Sequence, residues 1–568
     1  MVSSGRARGV SLIDVVVGSA LMLIVFVALV GILRASVQVS TLSKVNAGAQ
    51  AVAEAQMEQI RALPYASVGT VGGIPAGPIA QTSTSTLNGI SYGVRTFIDY
   101  YDDPADGTGA GDTNGITTDY KRIKVAVTYS IRSVSHEVDL ISNYAPVSIE
   151  TTNGGGTLRV NVVNSAGAAV PGATVRVVNA STSPAVDVTT FSDASGSVIF
   201  GGAATSTQYQ VYVSKSGYSS AQTYARDTTN QNPTPGYLTV VANQTTTGTF
   251  AIDTLANLSV MTLTPIQATT TTDNFADASG LSSLTSTAVS GGMLALANGG
   301  SGYAPSGSAT SVANAPSYLA AWTTASTTLS VPANTTAIVQ VADASGALLP
   351  DAVIPGNSGG FTGTSIDLSR VSTSTYPALK LIATLTSSAT TTTSAVDSWS
   401  VNALAGPIPV GNVSFTLTGA KTIGTTGAGA PIYKTVSTNA TDARGSTTAA
   451  LEWDSYGLSL SGYDVVDACA APPFALAAGS TNSTALYLGP HTANALLVTV
   501  RDTAGALVPG ASVTVNSQTV TSSACGTAYF GSLAGGTYSV QIAKTGYTTT
   551  SFASVPVSGQ SFYAAAFP

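Results

Sequence analysis

Leu158–Asn179 reads LRVNVVNSAGAAVPGATVRVVN, and Leu496–Ser517 reads LLVTVRDTAGALVPGASVTVNS. The two align without a gap, Gly167 on Gly505 and Pro171-Gly172 on Pro509-Gly510, so the chain carries an internal repeat. In each, apolar and polar residues alternate on both sides of a glycine turn and a Pro-Gly turn, the pattern of two half-buried strands. Each copy continues through a further glycine turn into an apolar strand, SDASGSVIF to Phe200 and SSACGTAYF to Phe530. Each closes on a tyrosine-bearing strand and a Lys-x-Gly-Tyr turn, YQVYVSKSGY to Tyr218 and YSVQIAKTGY to Tyr547.

The sequence around these copies is of the same kind. At 568 residues the chain exceeds what one core can organise. Only 9% of residues are charged against 44% hydrophobic, and Thr, Ser, Ala, Val and Gly fill most positions after Pro64, which reads as mainly β and extracellular. Regular Val, Leu, Ile, Tyr and Phe positions supply the buried faces that disordered chains lack. A more divergent module spans Asn412 to about Pro490, where NVSFTLTGAKTIG, GAPIYKTVSTNATDARGS and LEWDSYGLSL keep the order strand, turn, strand, with Trp453 expected in its core. Asp253 to Leu404 reads as a larger jelly-roll or lectin-like sandwich. Its Trp322 and Trp399 fit either a sugar-stacking platform or a core, the core being favoured.

The two copies resemble carboxypeptidase regulatory-like domains, small transthyretin-like β-sandwiches. Gly167, Pro171, Gly172, Gly217 and Tyr218 match that family's turn positions, as do Gly505, Pro509, Gly510, Gly546 and Tyr547. The resemblance implies modules without catalytic residues. Isopeptide cross-links known in pilus domains of similar fold need a first-strand lysine, and the strands at Leu158 and Leu496 have none.

The amino terminus reads MVSSGRARG followed by VSLIDVVVGSALMLIVFVALVGIL. About 20 nearly uninterrupted apolar residues suffice to span a bilayer, and Arg6 and Arg8 orient the leader inward. Asp14 interrupts the apolar run, and a carboxylate inside a membrane costs about 2.5–3.5 kcal/mol on insertion scales unless it finds a partner. Gly9-Val10-Ser11-Leu12-Ile13-Asp14 resembles the type IV prepilin signature, a glycine with an acidic residue at the fifth place after it. The resemblance implies cleavage after Gly9 by a prepilin peptidase and methylation of the new amine on Val10. It also implies pairing of Asp14 with a neighbouring subunit's terminal amine during filament assembly. Val10 stands where Phe is usual and Asp14 where Glu is usual. A single-pass anchor whose Asp14 snorkels to the interface is the alternative.

From Arg34 to Leu63 a helical pattern continues, with Leu42, Val45, Ala49, Val52, Ile60 and Leu63 near one face, until Pro64 stops it. AEAQMEQIRALPY also resembles the same region of minor pilins. NGISYGVRTFIDYY, DYKRIKVAVTYS and SHEVDLISNY then read as antiparallel strands of a small α+β headpiece packed on that helix. Asp102, Asp103, Asp106, Asp112 and Asn114 lie in the loop between the first two strands; calcium and a plain solvated loop both fit, the solvated loop being favoured.

The expected organisation is therefore a leader at 1–9, a pilin helix at 10–63 with its membrane part at 10–33, and a headpiece at 64–150. Sandwiches at 156–252, 253–404, 405–490 and 491–568 follow. A net charge of −7 gives no basic footprint, so nucleic acid is not an expected partner of the rod. Two cysteines and two histidines cannot build a four-ligand zinc site, and no cofactor is expected. Cys469 and Cys525 are either a disulfide of an exported protein or two buried thiols. No paired carboxylates or Ser-His-Asp set appears at a recognisable spacing, so the chain is expected to be structural. It reads as a minor or tip pilin with prepilin peptidase, other pilin subunits, the pilus assembly machinery and the inner membrane as partners. Surface glycans or partner cells are candidate targets of its outer modules. The alternatives are a membrane-anchored glycan-binding protein and a type II secretion pseudopilin.

Overall fold

The computed structural model describes residues 12–101, 103, 105, 119–146 and 155–568. The chain forms two compact units, one of Met1–Leu255 with Thr422–Lys434 and one of Ala256–Lys421 with Thr435–Pro568. Among the described residues the fold is β apart from one long amino-terminal helix and a single 3-10 turn at Tyr65–Ser67.

The first unit begins with helix α1, Leu12–Arg61, 50 residues and so about 75 Å long at the usual rise. Ala62 N still donates to Glu58 O (3.0 Å) as in an α-helix, Leu63 N donates to Ile60 O (3.1 Å) in a tighter last turn, and Pro64 forbids a further turn. The helix thus stops two residues before the expected Leu63. Val45, Ala49, Val52, Ala53, Met57 and Ile60 form the buried face, spaced to fall on one side of a helix. Leu42, expected on that face, is 39% exposed, so docking begins one turn later than the sequence pattern implied.

The docking partner is a four-stranded antiparallel meander: β1 (Thr82–Leu87), β2 (Ile90–Tyr101), β3 (Tyr120–Ile131) and β4 (Val134–Tyr144). Three of these were legible. β1 was not, because TSTSTL offers no apolar alternation. Asn88-Gly89 and Arg132-Ser133 make the two-residue hairpin turns, all four residues at positive φ, as the primed turns that match strand twist require. Gly48 lets the helix backbone approach β2, since a Cβ there would meet the Tyr92 hydroxyl at 2.4 Å. That hydroxyl donates to Val45 O (3.1 Å). Of the acidic loop, Asp103 accepts the Ala105 amide (3.0 Å) in an ordinary Asx turn. Asp102, Asp106, Asp112 and Asn114 lie outside the described residues.

The same unit holds a sandwich. Gly156–Val163 pairs antiparallel with Ser197–Ala203 and parallel with Thr245–Ala251; the other sheet runs Ala221–Gln222, Ser206–Ser214, Thr174–Asn179, Val186–Phe191. Leu158, Val160, Val162, Val175, Val177, Phe200, Val211 and Phe250 fill the core between them. Ile74, from the loop after α1, enters this core. Gln81 Nε2 donates to Asp187 O (2.6 Å), Asp187 N donates to Gly72 O (2.8 Å), and Arg95 lies between the Phe97 and Phe191 rings. Headpiece and sandwich are therefore packed into one body. Thr422–Lys434 adds a hairpin to it, Thr422–Thr425 pairing with Asn232–Pro233.

In the second unit two sandwiches repeat that topology. Ala495–Asp502 pairs antiparallel with Thr527–Phe530 and parallel with Gln560–Phe567. Ala256–Leu263 pairs antiparallel with Ser446–Leu451 and parallel with Thr481–Pro490. The expected boundary at 253 is therefore displaced. Ala256–Leu263 is the first strand of the 405–490 module, and the block behind it, from Gln267 to Ala405, is inserted in that module's first turn. Bridges at corresponding places in the three modules, Val163 to Ala169, Leu263 to Pro409 and Arg501 to Leu507, mark the same turn. A buried hydroxyl holds the segment that follows it each time. Ser192 accepts from Ala173 N and donates to Val170 O, Ser522 accepts from Ala511 N and donates to Val508 O, and Thr441 accepts from Val413 N.

The inserted block is a sandwich of a six-stranded and a four-stranded sheet about one core. Trp322 and Trp399 are both buried in that core, the first donating to Tyr376 O (2.9 Å) and the second edge-on to Phe275. The sugar-stacking alternative for this pair is therefore excluded. Trp453 departs from expectation the other way. It is half-buried with the Lys421 ammonium 3.4 Å above its ring, a cation–π contact at the module's surface.

Lys121 on β3 is buried and donates to Tyr65 O (2.7 Å) and Val68 O (2.6 Å), pinning the chain that leaves α1 to the sheet. Burial lowers its pKa to about 8 from 10.5. A folded value below the unfolded one means that headpiece stability rises with pH between about 8 and 10.5. NMR titration of 13C-lysine-labelled protein should show one Cε resonance with a midpoint near 8, absent from Lys121→Met; a midpoint above 10 would refute this.

Candidate functional site in the amino-terminal helix and the C-terminal joint

Two places carry the residues singled out by sequence. The first is α1. Between Val16 and Val39 its large side chains, among them Leu21, Met22, Phe26, Leu29, Ile32 and Leu33, are exposed on every side. A helix apolar all round is stable only when covered by lipid or by other helices. From Val45 onward the same helix is two-faced and docked. One continuous element thus passes from an environment that must be non-aqueous to the headpiece core, and it is long and apolar enough to cross a membrane. Asp14 falls in its first turn. Gly9 and Val10 lie outside the described residues.

The second place joins the last two sandwiches of the second unit. Cys469 and Cys525, the pair singled out by sequence, are joined as a disulfide in this structure, their Cα atoms 4.3 Å apart. Cys525 is buried and Cys469 is exposed. Around the bond, Asp467 accepts from Ser523 Oγ (2.9 Å) and Thr527 Oγ1. The Gln560 side chain pairs with the Val465 backbone as a strand would, accepting from its N–H (2.9 Å) and donating to its carbonyl (2.7 Å). Leu497 of the C-terminal module belongs to the core of the preceding one, with Tyr529 and Phe562 packed against it.

Asp464 is the electrostatic centre of this joint. It is fully buried and accepts from Tyr529 OH (2.7 Å), Thr492 Oγ1 (2.7 Å), Thr492 N (3.0 Å) and His491 Nδ1 (3.0 Å). Burial alone pushes its pKa up, but the bonds from Tyr529, Thr492 and His491 outweigh that and hold it below the ordinary carboxylate value. Burial, with the Asp464 charge beside it, pushes the Tyr529 hydroxyl up to about 12, so it remains a donor at neutral pH. Sequence inspection missed Asp464, Asp467 and Gln560, because nothing in a strand such as YDVVD marks which polar residue turns inward. Among the described residues no cluster of His, Cys, Asp or Glu could hold a metal ion.

Residues 495–567 match the carboxypeptidase regulatory-like domain. That domain name now attaches to the C-terminal module, and the sandwiches at 156–251 and at 256–263 with 410–490 share the topology of this regulatory-like domain. No curated protein matches the sequence. Among solved structures, the Bacillus anthracis TIE protein aligns over 86% of this chain and 74% of its own at 10% identity and TM-score 0.15. BcpA, the major pilin subunit of Bacillus cereus, aligns over 73% and 99% at 9% identity and TM-score 0.13. The full-length major pilin SpaD from Corynebacterium diphtheriae aligns over 74% and 98% at 11% identity and TM-score 0.12. At TM-scores this low the likeness carries no argument about function.

Asp464 has a folded pKa below its unfolded one, so its contribution is present above the usual carboxylate range and is lost as pH falls through the lowered folded value. Tyr529→Phe removes the strongest of these compensating bonds. Denaturant melts should show a loss of about 1.5–3 kcal/mol at neutral pH, the worth of a hydrogen bond to a charged group, and an acid transition beginning at higher pH than in the parent. A neutral Tyr529→Phe variant would contradict the assignment. For the disulfide, the denatured chain should migrate faster on a non-reducing gel than after reduction, and Cys469→Ser should abolish the difference.

Proposed function

We propose that this chain is a structural subunit, minor or at the tip, of a type IV pilus-like surface filament. Its regulatory-like and inserted sandwiches serve as spacer and outward-facing adhesive surface. One combination supports the reading. The Gly9 to Asp14 pattern stands at the head of a helix whose first half is bare and apolar and whose second half is docked under a four-stranded headpiece.

In this reading the prepilin sits in the inner membrane as a single pass with its leader inside. A prepilin peptidase cuts after Gly9, Val10 becomes the methylated terminus, and the assembly machinery moves α1 from lipid into a bundle of like helices. Asp14 then meets the terminal amine of a neighbouring subunit, and desolvating both charges together selects one axial register. The chain acts by assembly and binding rather than by catalysis. Its most strongly hydrogen-bonded carboxylates, Asp253 and Asp464, are engaged in a turn and in the joint. The pseudopilin alternative shares the same amino-terminal chemistry.

Mass spectrometry of protein sheared from the cell surface tests this directly. The mature chain is expected to begin at a methylated Val10. Asp14→Ala is expected to be cleaved and membrane-inserted normally, yet to fall at least tenfold in the sheared fraction. Intact leader on surface protein, or full incorporation of Asp14→Ala, would overturn the proposal.

A further inference from the structure

Each module of the second unit begins and ends on strands that pair in parallel. In the first, Asn257 to Leu263 faces Thr481 to Tyr487 residue for residue; in the C-terminal one, Ala495 to Asp502 faces Gln560 to Phe567. Parallel terminal strands have a mechanical consequence. Tension enters at the start of one strand and leaves at the end of the other, so it slides the strands past each other and loads every hydrogen bond of the ladder at once. An antiparallel pair pulled at its open end gives way one bond at a time.

The inserted domain has that weaker geometry. Its terminal strands Gln267–Asp273 and Ala395–Ala405 are antiparallel, and Gln267 stands opposite Ala405 at the open end of the pair. Load applied there would peel it. Its position prevents this, because the insertion begins after Leu263, beyond the strand pair that carries the load. While the ladder between Ala256–Leu263 and Thr481–Pro490 holds, tension crosses from one strand to the other and never enters residues 264–408. Between the two modules the Cys469–Cys525 bond runs alongside the backbone linker, and Asp464, Asp467 and Gln560 fasten the same joint.

We infer that residues 256–568 are a tension-bearing tether in which parallel terminal strands act as shear clamps in series, with the inserted domain mounted outside the load path so that its surface stays folded under pull. The inference goes beyond the filament reading and requires only that the chain be held at its two ends.

Optical-tweezer stretching of the full chain in detergent, with handles at both ends, tests it. The insertion's length, roughly 50 nm at about 3.6 Å per residue, should appear only with or after the opening of its host module, because the force that breaks the clamp already exceeds what the peeled insertion resists. Handles moved to Ile266 and Ile408, both exposed, should open the insertion at a several-fold lower force. Reductant should lengthen the fully extended chain by roughly 20 nm, the span of the 56-residue Cys469–Cys525 separation. A step of insertion length preceding every other opening of the unit would overturn the inference. So would an insertion that resists direct pulling as strongly as the end-to-end chain.

Discussion

The parallel pairing of each module's first strand with its last is the constraint on which the rest of this structure depends. Parallel strands cannot be joined by a tight turn, so the chain between them must cross to the opposite layer and return before the last strand can pair with the first. In the three modules that share this topology that excursion starts at the same turn, closed by a bridge at Val163–Ala169, Leu263–Pro409 or Arg501–Leu507, and a buried hydroxyl at Ser192, Thr441 or Ser522 holds the segment that follows. Once the bridge and the ladder fix the turn's two ends, the loop between them is free to lengthen, since loop closure grows only slowly in cost with length. The middle module uses this freedom fully. A sandwich whose own first and last strands lie side by side replaces a turn without moving its ends.

A second constraint acts on α1, which has to satisfy two surroundings in one unbroken element. Its backbone groups are paired internally and are indifferent to the change; its side chains are not. From Val16 to Leu33 they are nearly all apolar and exposed, and from Val45 they divide into a face packed on the sheet and a face in water. Gly48 sits just beyond this change, where the absence of a side chain lets Tyr92 reach the Val45 carbonyl and lock the sheet against the helix. The headpiece therefore holds the helix by its carboxyl half and leaves the amino half uncovered.

The repeat at Leu158 and Leu496 was legible because alternation and Pro-Gly turns are local signals, and both modules fold as their spacing implies. The apolar helix, its stop at Pro64 and three headpiece strands were legible for the same reason. What escaped was non-local. Ala256–Leu263 has the alternation of a first strand, yet its partners lie beyond a whole inserted domain, so local pattern groups the strand with its neighbour in sequence instead. Matching Val410 and Val413 to Val170 and Ala173 across a long gap would have found it, as the bonds Val410 N to Thr262 O and Val170 N to Val162 O coincide. The size and aromaticity of Trp453 imply a core, whereas the lysine above its ring marks a surface contact. For the joint, the cysteines were visible and the residues that orient them were not.

That joint shows why polar groups are buried where apolar ones would give as much burial. An apolar contact between two sandwiches tolerates sliding and rotation, because dispersion and water exclusion have no preferred direction. A carboxylate that has lost its water tolerates neither, since any shift leaving it with fewer donors exposes the full cost of its burial. Asp464 takes its donors from the C-terminal module through Tyr529 and from the connecting segment through His491 and Thr492, so one charge fixes both the angle and the approach of the two modules. Gln560 fixes the remaining direction by engaging both polar groups of the Val465 backbone. The disulfide then closes a joint whose geometry the hydrogen bonds have already set.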